Sequence, residues 1–285
     1  GAIYDELVKA GIEVEIGPQD GKFLQKKIDE GLADQPSWIG RKTTINHLRP
    51  AIVKAVEAHP ELSPALVALK CDMNGLGGLK GIRAQAGLTL MAGDHVLAQD
   101  VGEVQFTEYG LSGIPAMQVS GRLSRLRKGE TCTALVDLFP QWQPEALFRY
   151  LKTRQKADPR GTLETLLLGT VHKRLAAAVL KSAGLPLSWE SRSLTGGEMH
   201  RLAELLKAWP FPVTGTQGWE FAQVAGGGIP LKELDLSTME SNLVPGLYLA
   251  GEIVDVIGDC GGFNLHWAWC SGMRAGQTAA KEAVR

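Results

Sequence analysis

The stretch GLYLAGEIVDVIGDCGGFNLHWAWCSG, residues 246 to 272, decides how the end of this chain is interpreted. It begins with the short apolar run LYLAG, which is typical of a strand buried in a parallel sheet. Gly251 lets the backbone turn sharply after that run, so Glu252 and Asp255 emerge at the carboxyl end of the strand. Open α/β sheets bind ligands at this edge, where a carboxylate can accept hydrogen bonds from sugar or sugar-alcohol hydroxyls.

The second half of the same stretch adds glycines and a helix. Gly258, Gly261 and Gly262 allow a backbone to approach a ligand closely. The residues that follow predict a helix rich in small side chains, running from about Ala268 to the C-terminus, and the free amides at such a helix start suit an anionic oxygen. Each piece alone has an ordinary structural explanation: glycines form turns, Trp267 and Trp269 fill a core, and an acid after a strand is solvated. Only their order together favours a nucleotide or flavin site.

Composition sets few limits beyond a globular chain. The 285 residues are 44% hydrophobic, enough for one large or two modest cores. Thirty basic residues face 31 acidic ones, so charge offers no overall reason to expect nucleic acid or an anionic membrane as a partner. The basic cluster Arg122, Arg125, Arg127 and Lys128 is interpreted as a solvated helix end.

The cysteines and apolar runs favour a soluble cytoplasmic protein. Cys71, Cys132, Cys260 and Cys270 have neither a CxxC spacing nor histidines at zinc-site intervals, so we expect reduced thiols and no structural metal. No run approaches the length of a membrane-spanning helix, and the N-terminus does not resemble a signal peptide.

Residue patterns divide the chain into three regions. Residues 1–61 mix helix and strand patterns without a glycine-rich loop. Residues 62–210 begin with alternating strands and continue with helices, as in an α+β domain. Residues 211–285 return to strands and close with a helix, like the end of an α/β layer.

Several elements are specific enough to predict singly. The expected strands are ALVALKC, GIRAQAGLTLMAG, HVLAQDVGEVQF and TCTALVDLF. We then expect a tight turn at Gly110 and a helix capped by Ser112. Three further helices are predicted: PEALFRYLKTRQKA, a helix from Thr162 to Ser182 ended by Gly184, and TGGEMHRLAELLKAW, in which Thr195 and Glu198 form a capping box.

From about Leu62 onward the chain resembles the bacterial NAD(P)/FAD-dependent oxidoreductases that include aminoacetone-oxidase-like and bile-acid-reductase-like flavoproteins. The matching stretches are LSPALVALKCD, LKGIRAQAGLTL, GEVQFTEYGLSGIPAMQVS, KAWPFPVTGTQGWEFAQVAGGGIPLKEL and STMESNLVPGLYLAGEIVDVIGDCGGFNLHWAWCSG. The resemblance implies an α/β plus α+β fold, with a partial FAD-binding Rossmann-like layer at the C-terminus and an inserted domain of barrel plus helices. It also implies a flavin-dependent oxidoreductase acting on a small organic substrate or on reduced nicotinamide, NAD(P)H.

The same resemblance implies a set of cofactor-binding residues. The Gly-Glu pair and the following Asp belong to the second half of the FAD site, the Gly-Gly-aromatic-Asn turn lies against the flavin, and AQVAGGGI, with Ala225, lies near the ring. Carried over, the set is Gly226, Gly227, Gly251, Glu252, Asp255, Gly261, Gly262, Phe263 and Asn264.

One part of the family pattern is not found. Members begin with a GxGxxG turn that holds the FAD pyrophosphate, whereas the nearest match here, GLGGLKG at Gly75 to Gly81, has the wrong spacing and is interpreted as a hairpin turn. Residues 1–61 are therefore a possible remnant or replacement of the FAD domain. Three alternatives stay open: a second chain supplies the nucleotide-binding half, a truncated or rearranged chain has impaired activity, or the chain is a non-catalytic fragment or scaffold without cofactor.

Other catalytic candidates are weaker. His266, next to the glycine turn, is a candidate proton donor, although a packed helix-start residue is the favoured interpretation. Cys260 and Cys270 flank the same turn as candidate redox partners of a flavin, and Glu108 and Tyr109 are candidates to face the substrate.

Overall fold

A computed structural model describes residues 62–283 apart from 124–125 and 127–128. The predictions for residues 1–61 lie outside this part of the chain, as do those for Arg125, Arg127 and Lys128. Arg122 of the basic cluster is exposed. No helix among the described residues is long and apolar enough to cross a membrane.

Ten strands and six helices make up the described residues. The strands are β1 (Ser63–Ala65), β2 (Leu69–Cys71), β3 (Arg83–Ala92), β4 (His95–Phe106), β5 (Gly110–Ser112), β6 (Cys132–Asp137), β7 (Trp209–Thr216), β8 (Val224–Gly226), β9 (Leu234–Asp235) and β10 (Glu240–Ser241). The helices are α1 (Ile114–Ser120), α2 (Pro144–Ala157), α3 (Leu163–Leu166), α4 (Lys173–Ser182), α5 (Gly196–Lys207) and α6 (Phe263–Ala283).

Six of the strands close into an antiparallel barrel in the order β2-β5-β4-β3-β6-β7, with β7 pairing β2. Side chains alternate between the barrel core and the outer face. Along β6, Cys132, Ala134 and Val136 are buried, while the residues between them are half-buried. Phe106, Trp209 and Phe211 pack together as one fully buried aromatic cluster of this core. The barrel-plus-helices part of the predicted fold class is thereby confirmed.

Of two predicted turns, one is present and one is not. The chain turns tightly between β4 and β5, where Thr107 N–H donates to the Gly110 carbonyl at 2.8 Å. Gly110 itself is the first residue of β5, and a Cβ atom there would come within 2.2 Å of the Leu69 carbonyl oxygen. The stretch Gly75 to Gly81 is not a hairpin, because β2 and β3 are separated in the barrel by β5 and β4. It crosses the barrel end instead and contains a 3-10 turn at Gly77–Leu79.

Helix α1 begins one residue later than expected. Ser112 is paired with Gln105 in the sheet, so the cap falls to Gly113, whose φ of 92° and closeness to the Glu103 carbonyl exclude a side chain. The helix packs against β4.

The four helices after β6 form a lobe that shares the barrel's core. α2 has the predicted bounds, and the Thr195–Glu198 capping box of α5 is present. The single helix expected over Thr162 to Ser182 is instead two helices, α3 and α4, because Gly169 between them adopts a φ of 77°. Lys207 joins the lobe to the barrel: its Nζ donates to the Asp137 carboxylate at 2.6 Å and to the carbonyls of Phe139 and Trp142.

The C-terminal part has a second, small core around Leu234, Met239, Val254 and Ala275. β1 pairs with β8, so the chain enters and leaves the barrel region on neighbouring antiparallel strands. The predicted domain boundary at residue 210 falls inside β7, which continues the barrel to Thr216.

The expected strand LYLAG does not form. Its backbone is engaged by the preceding turn, since the Leu247 carbonyl accepts from Ser241 N–H and Leu249 N–H donates to Met239. Among the described residues the only parallel pairing is the single bridge between Ile229 and Val254. The partial Rossmann-like layer is thus not confirmed. The last helix, α6, starts at Phe263 rather than near Ala268, because His266 N–H already bonds the Gly262 carbonyl.

Candidate functional site

Gly251 is fixed to α6 through both of its backbone groups. Its carbonyl accepts from the Trp267 indole Nε1 at 3.0 Å, and its N–H donates to the Ser271 hydroxyl at 2.9 Å. Ser271 is 2% exposed and in turn donates to the Trp267 carbonyl. With a φ of 71°, Gly251 occupies a backbone conformation that favours glycine. The turn after residue 250 therefore has a fixed position on the helix.

The two predicted acids connect that turn to β8. Glu252 Oε1 accepts from Ala225 N–H at 2.5 Å, and Asp255 Oδ1 accepts from Gly227 N–H at 3.0 Å. A backbone pair supports them, because Ile229 and the 253–255 segment exchange two hydrogen bonds of 2.9 Å. The two acids thus lie next to residues 225–227, and one oxygen of each carboxylate already accepts a hydrogen bond from a backbone amide there.

The loop from Gly258 to Gly262 is held by two amide side chains. Asn264 accepts from Gly258 N–H at 2.8 Å and donates to the Gly258 carbonyl at 3.0 Å. Gln118 of α1 accepts from Cys260 N–H at 2.9 Å and donates to the Asp259 carboxylate. The loop is therefore bound both to its own helix and to the barrel region.

Gly261 and Gly262 form the open part of this loop. Their φ values are 116° and 97°, and a Cβ atom on either would meet nothing within 4 Å. They precede the first turn of α6, where a helix has amides without an intrahelical partner and the positive end of its dipole.

These pieces surround a cavity of about 370 Å³, here called the glycine-loop cavity. Four predicted cofactor residues line it: Glu252, Gly261, Gly262 and Asn264. The other lining residues are Leu66, Gln223, Val224, Val256, Asp259, Cys260, Leu265, Trp267 and Ala268. The remaining predicted residues, Gly226, Gly227, Gly251, Asp255 and Phe263, lie beside this lining; Phe263 is 60% exposed.

The thiol in this cavity is kept protonated. Burial, followed by the neighbouring Asp259 carboxylate, raises the pKa of Cys260. Cys270, its expected redox partner, is exposed and outside the lining, and all four cysteines are free.

The other candidates also lie outside the cavity lining. His266 is exposed, and its Nε2 lies 3.5 Å from the Cys270 Sγ. Glu108 pairs with Lys80 at 2.5 Å, at the glycine-rich crossing over the barrel end. Among residues 62–283 that are described, no three His, Cys, Asp or Glu side chains come together as metal ligands.

Residue patterns did not reveal Gln118 or Ser271. Gln118 acts across 142 residues of sequence, so no local spacing could indicate it. Ser271 offered one signal, its position four residues after Trp267, which places both on the same face of a helix.

Comparison with known proteins agrees with this architecture. The family described as "HI0933-like protein barrel and H2TH domain" matches residues 63–224, more than half of the chain. A 3-dehydro-bile acid delta(4,6)-reductase of Clostridium scindens is 34% identical over 219 residues, covering 76% of this chain and 54% of that protein.

Two ribosomal RNA dihydrouridine synthases are similar as well. The one from Haemophilus influenzae is 30% identical over 196 residues, covering 69% of this chain and 46% of that protein. The one from Escherichia coli is 33% identical over 172 residues, covering 60% and 41%. The chain spans about half the length of these relatives.

The resemblance to bile-acid-reductase-like proteins is confirmed at the level of family, whereas the RNA-modifying relatives were not expected. The chain belongs to the HI0933-like family, whose shared part is a barrel with an H2TH domain.

Proposed function

We propose that this chain contributes the barrel and the flavin-ring side of the site in a flavin-dependent oxidoreductase. The observation that carries the proposal is the glycine-loop cavity, where Gly261, Gly262, Glu252 and Asn264 meet the start of a 21-residue helix. The family match and the reductase relative support the same class of chemistry.

The residues present fit one end of a flavin. The cavity volume of about 370 Å³ lies at the lower end of the ~300–1,000 Å³ typical of small-molecule pockets. Gly261 and Gly262 leave room for a flat ring to approach the backbone, and the α6 amides offer donors for an anionic ring edge. Glu252 keeps one carboxylate oxygen free for a hydroxyl group while the other holds Ala225.

Each residue has a role in this proposal. Gly261 and Gly262 provide the close surface, Asn264 and Gln118 hold the loop in place, and Trp267 and Val256 exclude water. A bound flavin would supply the hydride-transfer chemistry. Of the FAD molecule, we assign only the ring and the adjoining hydroxyl groups to the residues of this cavity.

The relatives suggest a substrate class. A delta(4,6)-reductase and a dihydrouridine synthase both saturate a carbon–carbon double bond conjugated to a carbonyl group. In such a reduction a hydride adds to the carbon β to the carbonyl and a proton adds to the α carbon. We propose this class of substrate for the present chain, with NAD(P)H as the electron donor.

The test supplies each substrate class under anaerobic conditions. The chain is incubated with FAD, with NADH or NADPH, and with either a 3-oxo-4-ene steroid or a uridine oligonucleotide. The masses of the products are then measured by mass spectrometry. The proposal expects one substrate to gain two hydrogens, with loss of that gain in a Gly262→Val variant. No gain with either substrate, together with no retained flavin, would favour a scaffold that holds no cofactor.

A further inference from the structure

A second cavity lies away from the glycine-loop cavity, on the helical lobe. Its volume is about 510 Å³, and it runs between the crossing at Gly75–Leu79, α4 and residues 184–187. We call it the lobe groove. It shares no lining residue with the glycine-loop cavity, so it is a separate candidate site.

The floor of the lobe groove is apolar. Ala177 and Ala178 line it from α4, Leu76 and Leu79 line it from the crossing, and Leu185 and Leu187 close the far side. Gly78 adds open space, because a Cβ atom there would meet nothing within 4 Å. Such a lining favours the apolar body of a ligand rather than a nucleotide base or a sugar.

Two cations bracket this floor. Arg174 and Lys181 lie seven residues apart on α4, hence on the same face and roughly 10 Å apart along the helix axis. Within the described part of the chain, the Lys181 ammonium forms no hydrogen bond or ion pair. The ammonium lies next to Gly75: a Cβ atom added to that glycine would be 3.8 Å from the Lys181 Nζ. Lys80, also on the crossing, is by contrast paired with Glu108.

The surrounding charge has the same sign. Between residues 144 and 207 the chain has eleven Lys and Arg residues against six Asp and Glu, although its overall net charge is −1. The lobe thus presents a local positive field that attracts anions.

We infer that the lobe groove binds an amphipathic anion, a molecule with an apolar body and one carboxylate or sulfonate group. The apolar body lies on Ala177 and Ala178, and the anionic group binds the Lys181 ammonium next to Gly75. Arg174, whose guanidinium donates to the Lys80 carbonyl, adds to the positive field at the other end of the groove. This binding site goes beyond the proposed redox chemistry and does not depend on it.

The test uses two anionic probes on the full chain. Anilinonaphthalene sulfonate is titrated by fluorescence and then displaced with dodecanoate; neutral dodecanol serves as the charge control. We expect dodecanoate to displace the dye and Lys181→Met to weaken dodecanoate binding about tenfold, the loss of one charge-assisted hydrogen bond. Lys156→Met, which removes an exposed lysine of α2 outside the groove, should leave binding unchanged.

Two further variants separate this site from the other cavity. Ala178→Phe, which fills the groove floor, should abolish displacement, whereas Gly262→Val should leave it intact. Melting curves by circular dichroism show that each variant is folded. Equal binding of dodecanoate and dodecanol, loss of binding in Gly262→Val, or preference for an oligouridylate over dodecanoate would overturn the inference.

Discussion

At the scale of single residues, both acids after Gly251 bind backbone amides. Glu252 and Asp255 each give one oxygen to a backbone amide near β8, and only Glu252 lines the cavity. The resemblance assigned both acids to the second half of the FAD site, but their hydrogen bonds to backbone were not foreseeable from spacing. Their role toward a cofactor stays a prediction.

The side chain of Gln118 offers the sharpest residue-scale test. Gln118→Ala removes both bonds from α1 to the loop: roughly 1 kcal/mol for the neutral bond from Cys260 N–H, and roughly 1.5–3 kcal/mol for the bond to the charged Asp259 carboxylate. We expect flavin affinity, measured by fluorescence titration, to fall about tenfold or more. Gln141→Ala, at an exposed position without such contacts, is the matched control. Equal flavin affinity of the two variants would show that the hydrogen bonds from Gln118 to the loop are not needed for binding.

The four thiols should differ in reactivity. Burial raises the pKa of Cys71 to about 12 and that of Cys132 to about 11, from an ordinary value of 9.0. Both therefore stay protonated at pH 8, and alkylation by iodoacetamide, mapped by mass spectrometry, should label the exposed Cys270 first. Because these pKa values are raised, the stability they contribute is present below about pH 9 and is lost as the pH rises toward 11 or 12. Rapid labelling of Cys71 in the folded protein would contradict this ordering.

At the scale of elements, the sequence pattern predicted the helix ends that neighbouring residues determine. The bounds of α2 follow from Pro144 and its apolar spacing, and the start of α5 follows from Thr195 and Glu198. Contacts distant in sequence were not predicted: Gly110 pairs with Lys70 on β2, which the residues around Gly110 do not indicate. The run LYLAG looked like a strand because its apolar character does not reveal which partner its amides bind.

Gly110 and Gly215 provide a matched pair for testing barrel closure. Their φ values are 149° and 150°, but a Cβ atom at Gly110 would overlap the Leu69 carbonyl, whereas one at Gly215 meets nothing within 4 Å. Gly110→Ala should therefore lower the free energy of unfolding by more than about 3 kcal/mol, and Gly215→Ala by the backbone strain alone, roughly 1–2 kcal/mol. Urea denaturation measures both. Similar losses of unfolding free energy in the two variants would mean that backbone strain alone, and not the close contact with β2, makes Gly110 necessary.

At the scale of the whole molecule, the chain combines one large core and one small one. The barrel and the helical lobe share the first core, and the turn at Gly251 with α6 forms the second. Contacts from Gln118 and the β1–β8 pair connect the two, so the glycine-loop cavity lies where they meet. Alternation predicted individual strands and helix caps predicted the lobe, whereas the barrel was implied by the resemblance. The cavity was foreseeable only through the resemblance, because its walls come from segments more than a hundred residues apart.

The central claim is that this cavity holds a flavin, and a visible absorption spectrum tests it most directly. The purified chain is mixed with excess FAD, and in parallel with FMN, and unbound cofactor is removed by gel filtration. Gly262→Val places a side chain in the cavity, while Gly246→Val introduces a comparable positive-φ strain outside it. We predict a flavin band that is retained by the parent chain and by Gly246→Val and is lost from Gly262→Val. Absence of the band from all three, or its retention in Gly262→Val, would contradict the account.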